Sequence, residues 1–247
     1  MSVSRNNLVI YTSVNMPEDN TSLTGGAINS GIRASFDDPS SSSKIVIYSA
    51  SASDTSQNLS IRGRTDNGII VNETLNSSGT TQVISNYTYN RILKTHLNSG
   101  CWGIITVSGQ SVNNIAEIPV GESGFSRPFY DATAYPNTAK TYYEKIFVKN
   151  NNNNTALSDA YVVQSNAGLY NKVQFALEDT KQADQTITNR ETVPTGITGG
   201  FGSGISGIIN NKLLALDYQG VWLKLSLDAE ESAINSFYEI QVSGTTV

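Results

Sequence analysis

Nucleophilic chemistry in this 247-residue chain would have to start from Cys101 or draw on His96, the only residues of their types. A thiolate needs a base within hydrogen-bond reach, and His96 lies five residues before Cys101 on one segment. A serine nucleophile would need the same histidine, which sits in Lys94-Thr95-His96-Leu97 with no nucleophile-elbow motif beside it. Cys101, between Gly100 and Trp102, reads as a buried structural thiol near a strand start. A single cysteine also leaves no intrachain disulfide. One His and one Cys cannot build a zinc site, and Asp37-Asp38 and Asp66-Asn67-Gly68 are only fragments of a calcium loop. Gly202-Ser203-Gly204-Ile205-Ser206-Gly207 matches a dinucleotide fingerprint by spelling. That fingerprint needs a strand before it, a helix after it and a βαβ unit to follow, and only about forty residues remain. It is a Gly-rich loop. A glycosidase needs two carboxylates at a set separation in space, and nothing singles out a pair among 21 acids. The sequence predicts no catalytic residue, no metal and no cofactor.

The charge balance narrows the partners. A net charge of −5 gives no electrostatic footprint for nucleic acid. The nearest thing to a basic patch, Arg62-Gly63-Arg64, reads as a solvated strand end. No run approaches the about 18 apolar residues of a membrane span. The opening MSVSRNNLVIYTS lacks the roughly 7–15-residue apolar stretch of a signal peptide, so a cytosolic site of synthesis and assembly is expected. The sequons Asn72-Glu73-Thr74 and Asn86-Tyr87-Thr88 are then chance products of an Asn- and Thr-rich chain.

Strands must supply the framework. Ser, Asn and Gly compete with helical bonding and serve turns, while 12 Tyr, 7 Phe and 2 Trp supply a core. Residues 44–51, 58–65, 69–75, 81–93 and 102–107 read as a meander, with tight turns at Asn67-Gly68, Ser77-Ser78-Gly79 and Asn98-Ser99-Gly100. Residues 172–178 place Val173, Phe175 and Leu177 inward and Lys172, Gln174 and Glu178 outward. Residues 221–227 place Val221, Leu223, Leu225 and Leu227 inward, and 237–242 group Tyr238, Ile240 and Val242. The acidic stretch 228–232 is a turn or two between strands. Asn150–Asn154 reads as a solvated hairpin loop.

Alternation has a second consequence. It sets Trp222 and Phe237 on the outward face of two strands, as candidate protein-interface residues. The competing reading is that the Gly-rich loop or another domain covers that face.

Between 121 and 140 the periodicity lapses into Pro, Gly and Ser, with Phe125, Phe129, Tyr130 and Tyr135 lying against something. The expected fold is all-β. It comprises two antiparallel sandwich- or barrel-like domains at 1–125 and 141–247, joined by a linker at 126–140.

Two stretches resemble known proteins. IRGRTDNGIIVNETLNSSGTTQVISNYTYNRI carries Asp66, Gly68, Glu73, Thr74, Gly79, Thr80, Thr81, Tyr87, Tyr89, Arg91 and Ile92 in a pattern similar to tailed-bacteriophage virion proteins. The block from YYEKIFVKN to GVWLKLSLDAEESAINSFYEIQVSG resembles the Ig-like domain of phage head-associated structural proteins, in which a late G-x-W strand pairs with the last one. The resemblance implies a non-enzymatic capsid decoration or cement protein on the virion surface. It would bind the major capsid protein as a homo-oligomer, with a trimer expected, through its N-terminal block, and display the Ig-like block outward. A tail or baseplate adhesin with a carbohydrate-binding surface is the alternative, and a carbohydrate-active enzyme a third class.

Overall fold

The computed structural model describes residues 7–19, 21–166, 172–231 and 238–246. The chain is all-β. The first strands are β1 (Leu8–Asn15) and β2 (Thr24–Arg33). Next come β3 (Ser43–Ser49), β4 (Asn58–Thr65), β5 (Ile70–Asn76), β6 (Val83–Leu97), β7 (Ile105–Gly109), β8 (Asn114–Ile118) and β9 (Gly124–Ser126). The remainder is β10 (Lys140–Asn150), β11 (Leu157–Asn166), β12 (Val173–Glu178), β13 (Thr186–Ile187), β14 (Ile197–Gly202), β15 (Ile205–Gly207), β16 (Lys212–Leu213), β17 (Tyr218–Leu227) and β18 (Glu239–Thr246).

The strands divide into two compact units, Ser30–Arg127 and Met1–Asn29 with Pro128–Val247, and the first division falls inside β2. The 30–127 unit is organised by β6. Its first half pairs with β3, which pairs with β7 and then β8. Its second half pairs with β4 on one edge and β9 on the other, and β4 pairs with β5. A register shift between Arg62 and Gly63 against β6 marks a bulge that lets one long strand serve two layers. Between them lies a core that includes Ile45, Ile47, Leu59, Ile61, Tyr89, Ile92, Val107 and Phe125. The hairpin between β4 and β5 turns at Gly68, whose φ of 79° is the conformation that the Asn-Gly pair predicts.

The other unit has two sheets. In one, β1 pairs with β10, β10 with β17, β17 with β12 and β12 with β14, all antiparallel. In the second, β11 pairs with β15, β16 and β18. Seven consecutive residues of β10, Tyr142 to Val148, are buried. Both faces of β10 are therefore covered, and alternation disappears where no face meets water.

Four expectations need correction. Residues 1–29 do not belong with the N-terminal block: β1 is zipped to β10 from Leu8↔Asn150 to Thr12↔Ile146. Nor is 126–140 a linker. Tyr130 is buried and donates to Glu18 Oε1 at 3.0 Å, and the Phe129 N–H donates to Glu144 Oε2 at 2.8 Å. The late Gly220-Val221-Trp222 strand pairs with β10 and β12, whereas the last strand, β18, pairs with β11. The asparagine run is likewise no solvated hairpin, since β10 and β11 lie in different sheets. Asn150 is wholly buried at the crossing, and its amide donates to the carbonyls of Thr155, Leu213 and Leu214. One side chain satisfies three backbone acceptors where no ladder can.

These pairings predict how fragments behave. Residues 30–127 should fold alone, with a single cooperative transition in urea. Residues 141–247 should not, because β10 loses β1 and exposes an unpaired apolar edge. Adding residues 1–29 as a separate peptide should restore folding of 128–247. Cooperative unfolding of 141–247 by itself would contradict the pairing.

Candidate functional site

The residues with nucleophilic potential are kept apart. Cys101 is buried in the core of the 30–127 unit, with Sγ 3.8 Å from the Pro119 carbonyl oxygen. Burial, and then the charge of Asp54, pushes its thiol up, away from the thiolate that catalysis needs. His96 is exposed on β6, opposite Ser60 on the outward face of the ladder. Gly202 to Gly207 runs from the end of β14 into β15, two strands of different sheets, and only a three-residue 3-10 turn, Ile209–Asn211, follows it in place of the α-helix that the fingerprint needs. Among the described residues no three His, Cys, Asp or Glu side chains converge as metal ligands.

Trp222 is 0% exposed, so the outward facing expected from alternation is wrong. Its indole packs with Tyr143 and Ile187 and with Ile197 and Phe201 from the Gly-rich segment. The ring edge abuts Gly25, where an added Cβ would stand 2.7 Å from Cη2. The covering loop thus supplies the second layer that makes both faces of β17 interior. Phe237 lies outside the described residues.

Beneath this layer sit two groups of charges that the pattern assigned to solvent or left unplaced. Lys145 Nζ lies 2.7 Å from Glu178 Oε1, both side chains being closed to solvent, and donates to the Ala183 and Gly26 carbonyls at 2.8 and 3.2 Å. The Trp222 indole N–H donates to the same Glu178 oxygen at 3.3 Å. In the other group Arg190 bridges Glu144 and Asp131. Burial pushes the Glu144 carboxyl up to about 7, against the pull of the Arg190 charge and of the Phe129 N–H. A carboxyl raised this far can mark a general acid. Here both oxygens are bonded inside the core, so Glu144 and Arg190 act as a clasp between β10 and the segments before and after it.

The exposed counterpart is Trp102, which is 77% exposed although its backbone is held firmly. Asp54 is buried, and its carboxylate accepts from Ser49 Oγ at 2.5 Å, from the Trp102 N–H at 2.8 Å and from the Gly103 N–H at 2.9 Å. Although burial opposes it, these bonds hold the Asp54 carboxyl below its ordinary value. The Asp54 carbonyl in turn accepts from the Ser77 hydroxyl at 2.6 Å and the Gly79 N–H. Exposed Ile104 and Val120 flank the ladder end where Ile105 faces Ile118, beside the Cys101–Pro119 contact. The result is an apolar patch on a fixed base, and an Asp that binds three donors is what fixes it. The sequence offered no sign of this patch beyond the Trp itself.

Two outcomes test these assignments. Trp222→Ala should cost about 3–5 kcal/mol, as for other buried Trp truncations, read as a fall in the urea midpoint. A near-neutral result would restore the outward facing. Between pH 4.5 and about 7 folded Glu144 holds its proton while the unfolded chain has released it, so its contribution to stability falls as pH rises through that window. Glu144→Gln should therefore flatten that part of the stability–pH profile.

Comparison of the chain with protein-family models, with characterised proteins and with solved structures finds no match.

Proposed function

We propose that this chain is a non-enzymatic structural protein that docks on a preassembled protein shell, of the capsid decoration kind that its virion-like sequence pattern implies. The 30–127 unit makes the contact. The observation that carries the reading is Trp102, an indole turned to solvent on a backbone that Asp54 holds in place. Trp is the residue type that most often dominates interfaces, and a pre-ordered loop loses little entropy on binding. Ile104 and Val120 extend the apolar surface around it. Repetition of the contact over a homo-oligomer, a trimer by analogy with decoration proteins, multiplies a modest affinity. The major capsid protein is the proposed partner and the virion surface the proposed location.

An exposed indole on a rigid loop also suits stacking on sugar rings, which is the feature that keeps the tail-adhesin reading in view. Adding purified protein back to stripped shells separates the two. Trp102→Ala should weaken shell binding by about 2 kcal/mol, roughly thirtyfold. It should leave stability within about 0.5 kcal/mol, because the side chain is exposed. Full binding by the variant would remove Trp102 from the contact. Glycan binding with no affinity for shells would give the function to the adhesin.

A further inference from the structure

An amine and a carboxyl group meet inside the core of the larger unit, on strands that are not neighbours. Lys145 on β10 and Glu178 at the end of β12 lie on either side of β17. Their side chains are 0% and 1% exposed, and Nζ lies 2.7 Å from Oε1. Aromatic rings wall the contact: the Phe147 centroid is 4.6 Å from Nζ and that of Trp222 is 5.8 Å away. Gly220, on the strand between, leaves the space in which the two side chains touch.

Three features suit this contact to more than an ion pair. Holding two ions away from water is costly for each, and a neutral amide would carry neither charge. Burial also lowers the pKa of the Lys145 amine and raises that of the Glu178 carboxyl, toward the neutral forms that react with one another. The two carboxyl oxygens are held differently. Oε1 accepts from the Trp222 indole N–H at 3.3 Å, whereas Oε2 is buried with no hydrogen-bond donor among the described residues. A donor on one oxygen stabilises the charge that develops there when a nucleophile adds to the carbon. The unbonded oxygen is the one free to leave. The Ala183 and Gly26 carbonyls, at 2.8 and 3.2 Å, fix the amine against the carboxyl.

We propose that Lys145 and Glu178 condense into an intramolecular isopeptide bond that ties β10 to β12 across β17. One proton passes from Nζ to the carboxylate along the 2.7 Å contact. The nitrogen lone pair then forms a bond to Cδ, and the oxyanion that develops on Oε1 is held by the indole N–H. Oε2 leaves as water with two of the three ammonium protons. The third stays on the amide nitrogen, within reach of the Ala183 carbonyl. Nothing is oxidised or reduced, and no other reactant is needed. Cδ is one C–O bond beyond Oε1, hence within about 4 Å of Nζ, close to the about 3–3.5 Å of a near-attack pair. Well-oriented pairs reach effective concentrations of roughly 10⁵ M or more, which offsets the disadvantage of releasing water into water. The bond does not depend on shell docking at Trp102.

Mass spectrometry of the full chain, purified folded and then denatured, tests the proposal. The chain should weigh one water less than its sequence requires, and digestion should give one branched peptide that carries both Lys145 and Glu178. On a denaturing gel the chain, closed into a loop between residues 145 and 178, should run faster than Lys145→Arg, in which the full mass returns. Trp222→Phe keeps an aromatic ring but removes the indole N–H, so conversion of freshly translated protein should slow about tenfold or more. An unchanged rate would overturn the role of the indole. The wild-type mass decides the bond itself even if a variant fails to fold. A wild-type chain of full mass, with Lys145 and Glu178 in separate peptides, would overturn it, as would a missing water that maps to other residues.

Discussion

The buried pair of Lys145 and Glu178 is the constraint around which the larger unit is arranged. Taking two charges out of water costs several kcal/mol per ion before their attraction is counted, so the pair persists only where further bonds complete it. Lys145 on β10 reaches Glu178 at the end of β12 across the intervening β17, and also binds carbonyls at Gly26 and Ala183. Gly220 on β17 leaves the room. A Cβ there would lie 2.0 Å from Glu178 Oε2 and 3.0 Å from Lys145 Cε. Burial lowers the pKa of Lys145 and raises that of Glu178, so each depends on the other to remain charged. Losing either would strand a charge beneath Trp222 and loosen the segments that close over it.

What was legible in the sequence follows from what local pattern can carry. β4 begins and ends at the predicted residues, 58 and 65, because its inward and outward positions alternate and a turn bounds it. β12 was placed within a residue. Several failures are cases where a second layer changes the meaning of an outward position. Trp222 and Glu178 alternate correctly within their strands, yet both faces there are interior. Asn150 looks like loop composition but is buried because it bridges two sheets. The surroundings of Arg62 and Arg64 were hidden for a different reason. Arg62 and Arg64 look like a solvated strand end until strand register sets them against Lys94 and Arg91, some thirty residues onward.

The two tryptophans make the same point in opposite directions. Trp222 sits in an alternating strand and is interior, whereas Trp102 sits in an irregular loop and is exposed. Trp102 is presented by a carboxylate whose bonds to this loop go to the backbone N–H groups of Trp102 and Gly103, which leaves the exposed indole to meet another surface. Rigidity of the base and availability of the side chain thus come from separate groups, and either can change without the other.

The zipper of β1 against β10 also sets an order on synthesis. A ribosome adds about 5–20 residues per second, so β1 emerges roughly ten seconds before its partner strand is made. All of residues 30–127 are translated in that interval, and they hold a complete core of their own. The middle of the polypeptide can therefore be native while the first strand, Leu8–Asn15, held by β2 on one side, still waits with its other edge open. Such an edge is a template for pairing with another nascent chain. A slower elongation rate before codon 140 would lengthen that exposure, so the yield of this protein in a cell is tied to the speed at which its message is read.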